Sequence, residues 1–224
     1  MPIKILALSD IEISFINSPV VRERFRGTNL IISCGDLPLD YLEYVHCALD
    51  VPLYFVRGNH CPPEEHSPGG GHIQPHGGIN LHGDTANHNG LLLAGVEGSL
   101  RYHPGPHQYN QGEMWMHILK LAPRLLQNRS KHGRYLDIFI THAPPKGVHD
   151  ENDLAHQGIK AFRWLIHVFR PQIHLHGHVH LYRPDTVRQT QIEQTKVINA
   201  YGYREVEIEL PSGNTPDRPS RKQI

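Results

Sequence analysis

The stretch LIISCGDLPLDYLEYVHCALDVPLYFVRGNH, residues 30–60, contains the pattern that decides the fold. Apolar runs at Leu30 to Ser33 and Leu53 to Val56 enclose a segment, Tyr41 to Ala48, whose apolar residues recur at helical spacing. Short apolar strands that alternate with amphipathic helices are typical of βαβ units, whose parallel strands are covered on both faces. The stretch therefore predicts two strands of one parallel sheet and the helix between them.

The same alternation extends to both sides of this stretch. A strand at Ile3 to Leu8 and a helix at Val20 to Phe25 precede it. The elements predicted after it are a strand at Leu91 to Gly95, a helix at Gly112 to Gln127, a strand at Leu136 to Ile140, a helix at Gln157 to Phe169 and a strand near Ile173. This order predicts the α/β class.

Two segments depart from the alternation. Residues 61–90 are dense in Pro, Gly and His without a sustained period, and they predict a long inserted loop. Residues 196–199, together with the alternating Val206, Ile208 and Leu210, predict antiparallel strands that complete a second sheet. We expect one domain over residues 1–211 and a polar, frayed tail over residues 212–224.

Composition narrows the functional classes. Hydrophobic residues make up 38% of the 224 and lie in short runs, so no membrane span is expected. Lys plus Arg equal Asp plus Glu at 22 each, so net charge does not indicate a nucleic-acid partner. The 19 histidines favour metal or acid-base chemistry. The pattern demands no particular oligomeric state.

Cysteine usage and the start of the chain predict a cytoplasmic protein. Cys34, Cys47 and Cys61 are odd in number and form no CxxC pair, which favours reduced thiols over disulfides or a cysteine zinc site. The opening MPIKILALSD reaches Asp10 too early for a signal-peptide core.

Candidate ligands follow five predicted strands. Asp10, Asp36 and the Gly58-Asn59-His60 triplet come directly after the first three strands. Thr141-His142 and the run from His174 to His180 come after two later ones. In open α/β sheets this carboxyl edge is where ligands bind, so the fold would gather these side chains there.

The ordered motifs D-x-E, GD, GNH, TH and GHVH resemble the calcineurin-like metallophosphoesterase superfamily, whose pattern is D-x-H, GD, GNH, H and GHxH. The resemblance spans nearly the whole chain. Each motif alone occurs by chance, but the five in order, each after a strand, are specific. The resemblance implies a four-layer α/β/β/α sandwich of two mixed sheets flanked by helices.

The resemblance also implies the site. Two divalent ions would be bound, with Mn favoured and Fe, Zn or Mg as alternatives, and they would activate a water for attack on a phosphoester. The implied metal ligands are Asp10 and His180 for the first ion, Asn59, His142 and His178 for the second, and Asp36 as the bridge. His60 would be the general acid.

The sequence departs from the family at Glu12, where a histidine normally binds the first ion. We hypothesise that Glu12 is a ligand, because its spacing from Asp10 puts both side chains on one side of an extended segment. A site so rich in carboxylate would favour Mn or Mg. The alternative is a first site that is weak or empty in the resting protein. Cys61 also departs, since many members carry Asp there.

Several other residues have a competing interpretation. Arg101 could clamp a substrate phosphate, and His82 could reach the substrate from its apolar setting, although both could be ordinary loop residues. Asp40 and Glu43 have the spacing of a helix capping box. His174 and His176 are expected in the core or behind the ligands, where an imidazole can orient a ligand.

The function expected from the sequence is hydrolysis of phosphoesters, with diesters favoured over monoesters by family analogy alone. The substrate would be a small phosphoester. The alternative is a non-catalytic or weakly catalytic metal-binding scaffold, because a retromer subunit of this fold serves in that way. The presence of Asn59, His60 and three histidine ligands favours the enzyme. A zinc amidohydrolase is disfavoured by the GNH triplet.

Overall fold

The structure is a computed structural model that describes residues 2–61, 65–67, 70–72, 74–183 and 186–210. The helices are α1 (Val20–Arg24), α2 (Leu39–Leu49), α3 (Gln111–His132) and α4 (Lys160–Phe169). The strands are β1 (Ile3–Ser9), β2 (Leu30–Ser33), β3 (Leu53–Phe55), β4 (Glu65–Ser67), β5 (Gly70–His72), β6 (Gly78–Asn80), β7 (Thr85–His88), β8 (Leu91–Val96), β9 (Ser99–Leu100), β10 (Gln108–Tyr109), β11 (Ile138–Thr141), β12 (Ile173–His176), β13 (Gln189–Ile192), β14 (Thr195–Asn199) and β15 (Gly202–Ile208).

Two mixed sheets form the centre of the fold. The first has the strand order β15-β1-β2-β3-β6, and the second has the order β13-β14-β12-β11-β8-β7. Neighbouring strands run parallel except at three edges, where β15, β13 and β7 are antiparallel to their partners. Most connections are therefore crossovers, which is why helices separate the strands in the sequence.

The sheets pack face to face, and the helices cover their outer faces. Side chains from both sheets, such as Ile32 and Leu93, are fully buried in the core between them. The other face of the first sheet packs on α1 and α2 through residues such as Val45. The other face of the second sheet packs on α3 and α4 through residues such as Phe162. This is the α/β/β/α arrangement that the resemblance implied.

Strand register brings the carboxyl ends of the parallel strands to one edge. Ser33 pairs with Leu8 on one side and with Phe55 on the other. In the second sheet, Ile140 pairs with Leu175. The residues that follow these strands therefore emerge close together.

The interpretation of residues 61–90 as one long loop is wrong. Its described residues include β6, which extends the first sheet beside β3, and β7, which pairs with β8 at an edge of the second sheet. Strands of three or four residues that contain Gly, Asn and His carry no apolar period. Backbone hydrogen bonds to distant partners define them instead, and sequence periodicity does not register such pairing.

The C-terminal strands do not all complete a second sheet, as the alternation had suggested. β14 and β13 join the second sheet, but β15 pairs with β1 over seven positions of the first sheet. The first sheet thus contains both ends of the described chain. Residues 212–224, the predicted tail, lie outside the described residues, and the domain boundary at residue 211 stays a prediction.

The predicted capping box at Asp40 and Glu43 is also wrong. The residue before α2 is Pro38, which makes no side-chain cap, and Asp40 lies inside the first turn. Glu43 instead accepts hydrogen bonds from the backbone and ring nitrogens of His76. A box of this kind does begin α3, where Asn110 and Glu113 bond reciprocally.

None of the helices formed by the described residues is long and apolar enough to cross a membrane.

Candidate metal centre

Three residues at the shared sheet edge have positive φ angles, which residues other than glycine rarely adopt. Asp10, Asp36 and His178 have φ angles of 68°, 56° and 68°. Such conformations cost free energy and persist where the surrounding structure holds them, which is common at functional sites. All three were predicted as metal ligands.

Two glycines make room for the carboxylates. A Cβ on Gly58 would collide with the carboxylate of Asp36, and a Cβ on Gly177 would collide with Ser9 and crowd Asp10. The glycines of the GNH and GHVH motifs therefore let the backbone approach the ligands closely.

Asp36, Asn59 and His142 form the buried centre of the site. The Nε2 atom of His142 lies 3.1 Å from Asp36 Oδ2 and 3.0 Å from Asn59 Oδ1. Its Nδ1 atom lies 2.8 Å from the carbonyl oxygen of Cys34, and its side chain is completely buried. The other oxygen of Asp36, Oδ1, accepts a hydrogen bond from the backbone N–H of His60 at 2.8 Å.

Asp10 borders this centre and is held from the backbone. The N–H of His178 donates to both of its oxygens, at 2.9 and 3.2 Å. Asp10, Asp36 and His142 offer ligand atoms that all lie within 4.8 Å of one another. Two carboxylates and an imidazole thus face each other in a largely buried space.

The electrostatics of the group follow from burial and from these contacts. Burial alone would lower the pKa of His142, but the adjacent Asp36 carboxylate outweighs it and raises the pKa to about 9. Burial opposes the charge on Asp36, yet His142 and the N–H of His60 bring its pKa well below the usual range. For Asp10 burial prevails and the pKa is raised.

The donor set fits divalent cations. The Nε2 atom of His142 lies between a carboxylate oxygen of Asp36 and the amide oxygen of Asn59, so the imidazolium supplies the positive partner that the buried carboxylate needs, and a cation would supply the same charge. Two carboxylates, an amide oxygen and imidazoles are ligands that Mn, Fe and Zn accept. Asp10, Asp36, Asn59 and His142 would hold such ions.

His178 adjoins this centre through its ring. Its ring centroid lies 4.9 Å from that of His142. Its Nε2 atom lies 2.8 Å from the carbonyl oxygen of Ala155, so the N–H on Nε2 donates there and Nδ1 is the nitrogen that could bind an ion. Burial and the charge of His142 lower the pKa of His178 to about 3, which keeps the ring neutral as a ligand must be.

His180 and Glu12 do not join the group. His180 is half-buried and its Nδ1 atom lies 2.8 Å from the hydroxyl of Tyr182. Glu12 is exposed, and its carboxylate accepts a weak hydrogen bond from Asn17 at 3.4 Å. The first of the two implied sites is therefore less assembled than the second.

His60 is exposed, and its ring contacts a residue that the sequence did not indicate. The hydroxyl of Tyr102 lies 3.4 Å from His60 Nε2 and accepts from Asn59 Nδ2 at 3.1 Å. The only sequence signal was its position beside Arg101, in the segment after the turn at Gly98. Burial and the charge of Asp36 raise the pKa of Tyr102, so it stays protonated at neutral pH.

The two predicted substrate residues have other partners. The Arg101 guanidinium donates to the carbonyl oxygen of Gln108 at 3.1 Å and pairs with Glu113 at 3.1 Å. His82 accepts from the backbone N–H of Glu97 at 3.1 Å and packs against the rings of His117 and Tyr109. Neither side chain contacts the carboxylates of the site.

Cys61 packs beside the carboxylate of Asp36. Its sulfur accepts from the N–H of Gly58 at 3.3 Å and lies 3.7 Å from Asp36 Oδ1. Burial and the negative charge of Asp36 raise the pKa of the thiol to about 11, so it is an unreactive thiol rather than a thiolate.

Comparison with known proteins matches this chain to a family. The model of the calcineurin-like phosphoesterases, Metallophos, matches residues 3–182, well over half of the chain. The chain belongs to the calcineurin-like phosphoesterase family. A comparison with curated proteins found no match.

Solved structures agree on the fold. One crystal structure is 15% identical and has a TM-score of 0.63 over 92% of this chain and 95% of its own. The calcineurin-like phosphoesterase YfkN from Bacillus subtilis is 12% identical, with a TM-score of 0.50 over 95% of this chain and 86% of that one. Vacuolar Protein Sorting 29 from Cryptosporidium parvum is 11% identical, with a TM-score of 0.43 over 89% and 74% of the two chains. The first two likenesses concern the fold alone, and no conclusion is drawn from the third.

Membership of the calcineurin-like family supports metal-dependent hydrolysis of phosphoesters as the general activity. Members of the family bind two divalent metal ions, and the group around Asp36 is a candidate site for them. The family also includes proteins that are not catalytic.

Proposed function

We propose that this calcineurin-like phosphoesterase hydrolyses small phosphoesters, with diesters favoured over monoesters. The observation that carries the proposal is the buried contact of His142 with Asp36 and Asn59, at 3.1 and 3.0 Å. Burying a carboxylate and an imidazolium costs roughly several kcal/mol of free energy for each charged group. A purely structural core has no need of such a cost.

Two divalent cations, with Mn favoured, would supply the charge that polarises the phosphoryl group and lowers the pKa of the attacking water. Asp36 would bridge them. The second ion would be held by Asn59, His142 and His178, and the first by Asp10 and His180. Glu12 would take part only after a rotation of its side chain away from Asn17.

The chain's own groups orient the reaction. The N–H of His60 holds Oδ1 of Asp36 at 2.8 Å, and the carbonyl oxygen of Cys34 holds Nδ1 of His142 at 2.8 Å, which leaves Nε2 as the nitrogen that would bind an ion. The N–H of His178 holds Asp10. Donors that are already in place cost no reorganisation when substrate binds.

His60 would donate the proton to the leaving oxygen. Its ring is exposed beside the buried carboxylates, so it can meet a substrate whose phosphoryl group lies over them. Positioned acids of this kind contribute about 10²- to 10⁴-fold to rate. The preference for diesters rests on family analogy, and the cytoplasmic location stays a prediction.

The test is hydrolysis of bis(p-nitrophenyl) phosphate and p-nitrophenyl phosphate by Mn-reconstituted protein, beside an Asp36→Asn variant. We expect turnover of the diester that falls at least about 100-fold in the variant, because a carboxylate at the centre of the site is lost. Asp50→Asn is the matched control, since Asp50 is exposed, lies at the far end of α2 and has φ 53°, which Asn also adopts. Equal turnover in wild type and Asp36→Asn would contradict the mechanism.

One observation favours a second candidate, the metal-binding scaffold. Glu12 and His180 have partners outside the metal group, which weakens the first site. Metal analysis discriminates the two functions. At most one bound ion per chain, with no turnover of either ester, would favour the scaffold, whereas two bound ions with turnover would exclude it.

A further inference from the structure

The segment after β8 is hydrogen-bonded to both sheets, beside the candidate metal ligands. The N–H of Gly98 donates to the carbonyl oxygen of Arg57, just before the GNH motif, at 2.9 Å. The carbonyl oxygen of Gly98 accepts from the N–H of Ala143, just after His142, at 3.3 Å. These two hydrogen bonds therefore hold the start of this segment beside the candidate ligands Asn59 and His142.

The segment is also closed on itself. β9 and β10 pair, and the buried Gln108 accepts from the backbone N–H of Tyr102 at 3.2 Å. Arg101 donates to the carbonyl oxygen of Gln108, and its backbone N–H donates to Tyr109. These three hydrogen bonds hold the backbone of Arg101 and Tyr102 against Gln108 and Tyr109, so the side chain of Tyr102 extends from a fixed backbone.

The Tyr102 hydroxyl lies between two functional groups. It accepts the N–H of Asn59 Nδ2 at 3.1 Å and contacts His60 Nε2 at 3.4 Å. Asn59 then has its Oδ1 atom toward His142, in the orientation that a metal ligand requires. A phenol can donate its proton to a neutral imidazole or accept one from an imidazolium, so the contact with His60 holds in either state.

We propose that Tyr102 is a positioning residue that orients the Asn59 amide toward the metal centre and the His60 ring toward the leaving group. The inference rests on the proposed function. It assigns to the segment between β9 and β10 a role in the reaction, where the sequence pattern had placed only a candidate phosphate clamp at Arg101.

The test is a Tyr102→Phe variant, which keeps the ring and removes the hydroxyl. Two diesters with the same phosphoryl group, methyl p-nitrophenyl phosphate and methyl phenyl phosphate, differ in how much the leaving oxygen needs a proton. Groups that orient ligands or acids are worth about 10- to 100-fold. We expect a loss of that size in kcat for the phenyl ester, a clearly smaller loss for the nitrophenyl ester, and weaker Mn binding by calorimetry.

The control is Tyr109→Phe, which removes a hydroxyl from the base of the same segment, where it donates to Glu97 at 2.8 Å. It should lower the turnover of both esters by one common factor, if at all. A double variant adds a second readout. Because Tyr102 acts through His60, His60→Gln with Tyr102→Phe should hydrolyse the phenyl ester no more slowly than His60→Gln alone, at matched Mn occupancy.

Equal losses for both esters together with unchanged Mn affinity would overturn the inference, as would a fully additive double variant. If wild-type protein hydrolysed neither ester, the proposed function would be wrong. The Mn titration would then still decide the part that concerns Asn59, and an unchanged affinity in Tyr102→Phe would overturn that part as well.

Discussion

The two halves of the metal centre differ in how far the protein has already assembled them. In the half around His142, Asp36 and Asn59 lie at hydrogen-bond distance from one buried imidazole. In the other half, His180 contacts Tyr182 and the exposed Glu12 contacts Asn17. Both halves emerge from the same sheet edge, so strand position does not explain the difference.

Burial explains it. Inside the protein a charged group must find a partner, because solvent cannot stabilise it, and His142 therefore pairs with the carboxylate beside it. Water can solvate Glu12 and His180, which are more exposed, so these side chains form hydrogen bonds with their neighbours Asn17 and Tyr182 instead of with the carboxylates. The comparison indicates one group of donors that burial has already brought together and a second group whose members have other partners.

The largest expected effect is the difference in stability between two single variants, each of which removes one histidine from one half. In metal-free protein, His142→Ala leaves the buried carboxylate of Asp36 without its positively charged partner and should lower the free energy of unfolding by about 3–5 kcal/mol. His180→Ala loses one half-buried hydrogen bond and should lower it by about 1 kcal/mol. Urea unfolding in the presence of a chelator measures both. Equal losses would remove the distinction between the halves.

A smaller effect should follow from restoring the histidine of the family pattern. Glu12→His replaces a hard carboxylate by an imidazole and should tighten binding of the weaker ion, measured with Zn by calorimetry, by about tenfold. Glu12→Gln, which has neither charge nor imidazole, is the matched control. If the two variants bound Zn alike, position 12 would not belong to the site.

A pH-dependent effect concerns a buried histidine that lacks a carboxylate. His174 bonds to Thr141 at 2.8 Å, its Nδ1 atom has no hydrogen-bond partner, and burial lowers its pKa to about 3. In the unfolded chain His174 binds a proton as pH falls below about 6.5, whereas in the folded chain it stays neutral until the pH is near 3. The stabilisation from His174 is therefore complete above pH 6.5 and is lost as pH falls, by up to about 1.4 kcal/mol per pH unit.

A His174→Gln variant tests this sign. The amide keeps a donor for Thr141 but does not titrate, so wild type should lose more stability than the variant between pH 7.5 and about pH 5. Urea unfolding in chelator at several pH values gives the difference. A constant difference across that range would mean that His174 does not stay neutral, and the lack of a neighbouring carboxylate would no longer distinguish it from His142.

The sequence predicted which residues meet at the candidate site better than it predicted the position of Glu12. Five motifs that each follow a strand placed Asp10, Asp36, Asn59 and His142 together, because parallel strands end at a common edge. Glu12 was expected beside Asp10 on an extended segment. Instead Asp10 has φ 68° and the N–H of Ile11 turns back to Ser9 at 2.8 Å, so the alternation of an extended strand stops there.

Tyr102 shows a different limit. Its contact with Asn59 and His60 joins residues more than 40 positions apart, through a segment whose closure depends on Gln108 and Gly98. Nothing in its local composition separates it from an ordinary loop tyrosine. Short strands such as β6 and β7 escaped prediction for the same reason, since distant backbone partners define them.

By itself, the sequence determined the alternation of strands and helices and the order in which ligands leave the strand ends. Both are local properties, set by side-chain periodicity and by residues directly after each strand. Only the tertiary structure decided which sheet β15 joins, which donors are buried with a charged partner, and which are occupied elsewhere. Those outcomes depend on hydrogen bonds and desolvation between residues far apart in the chain, and no local pattern encodes them.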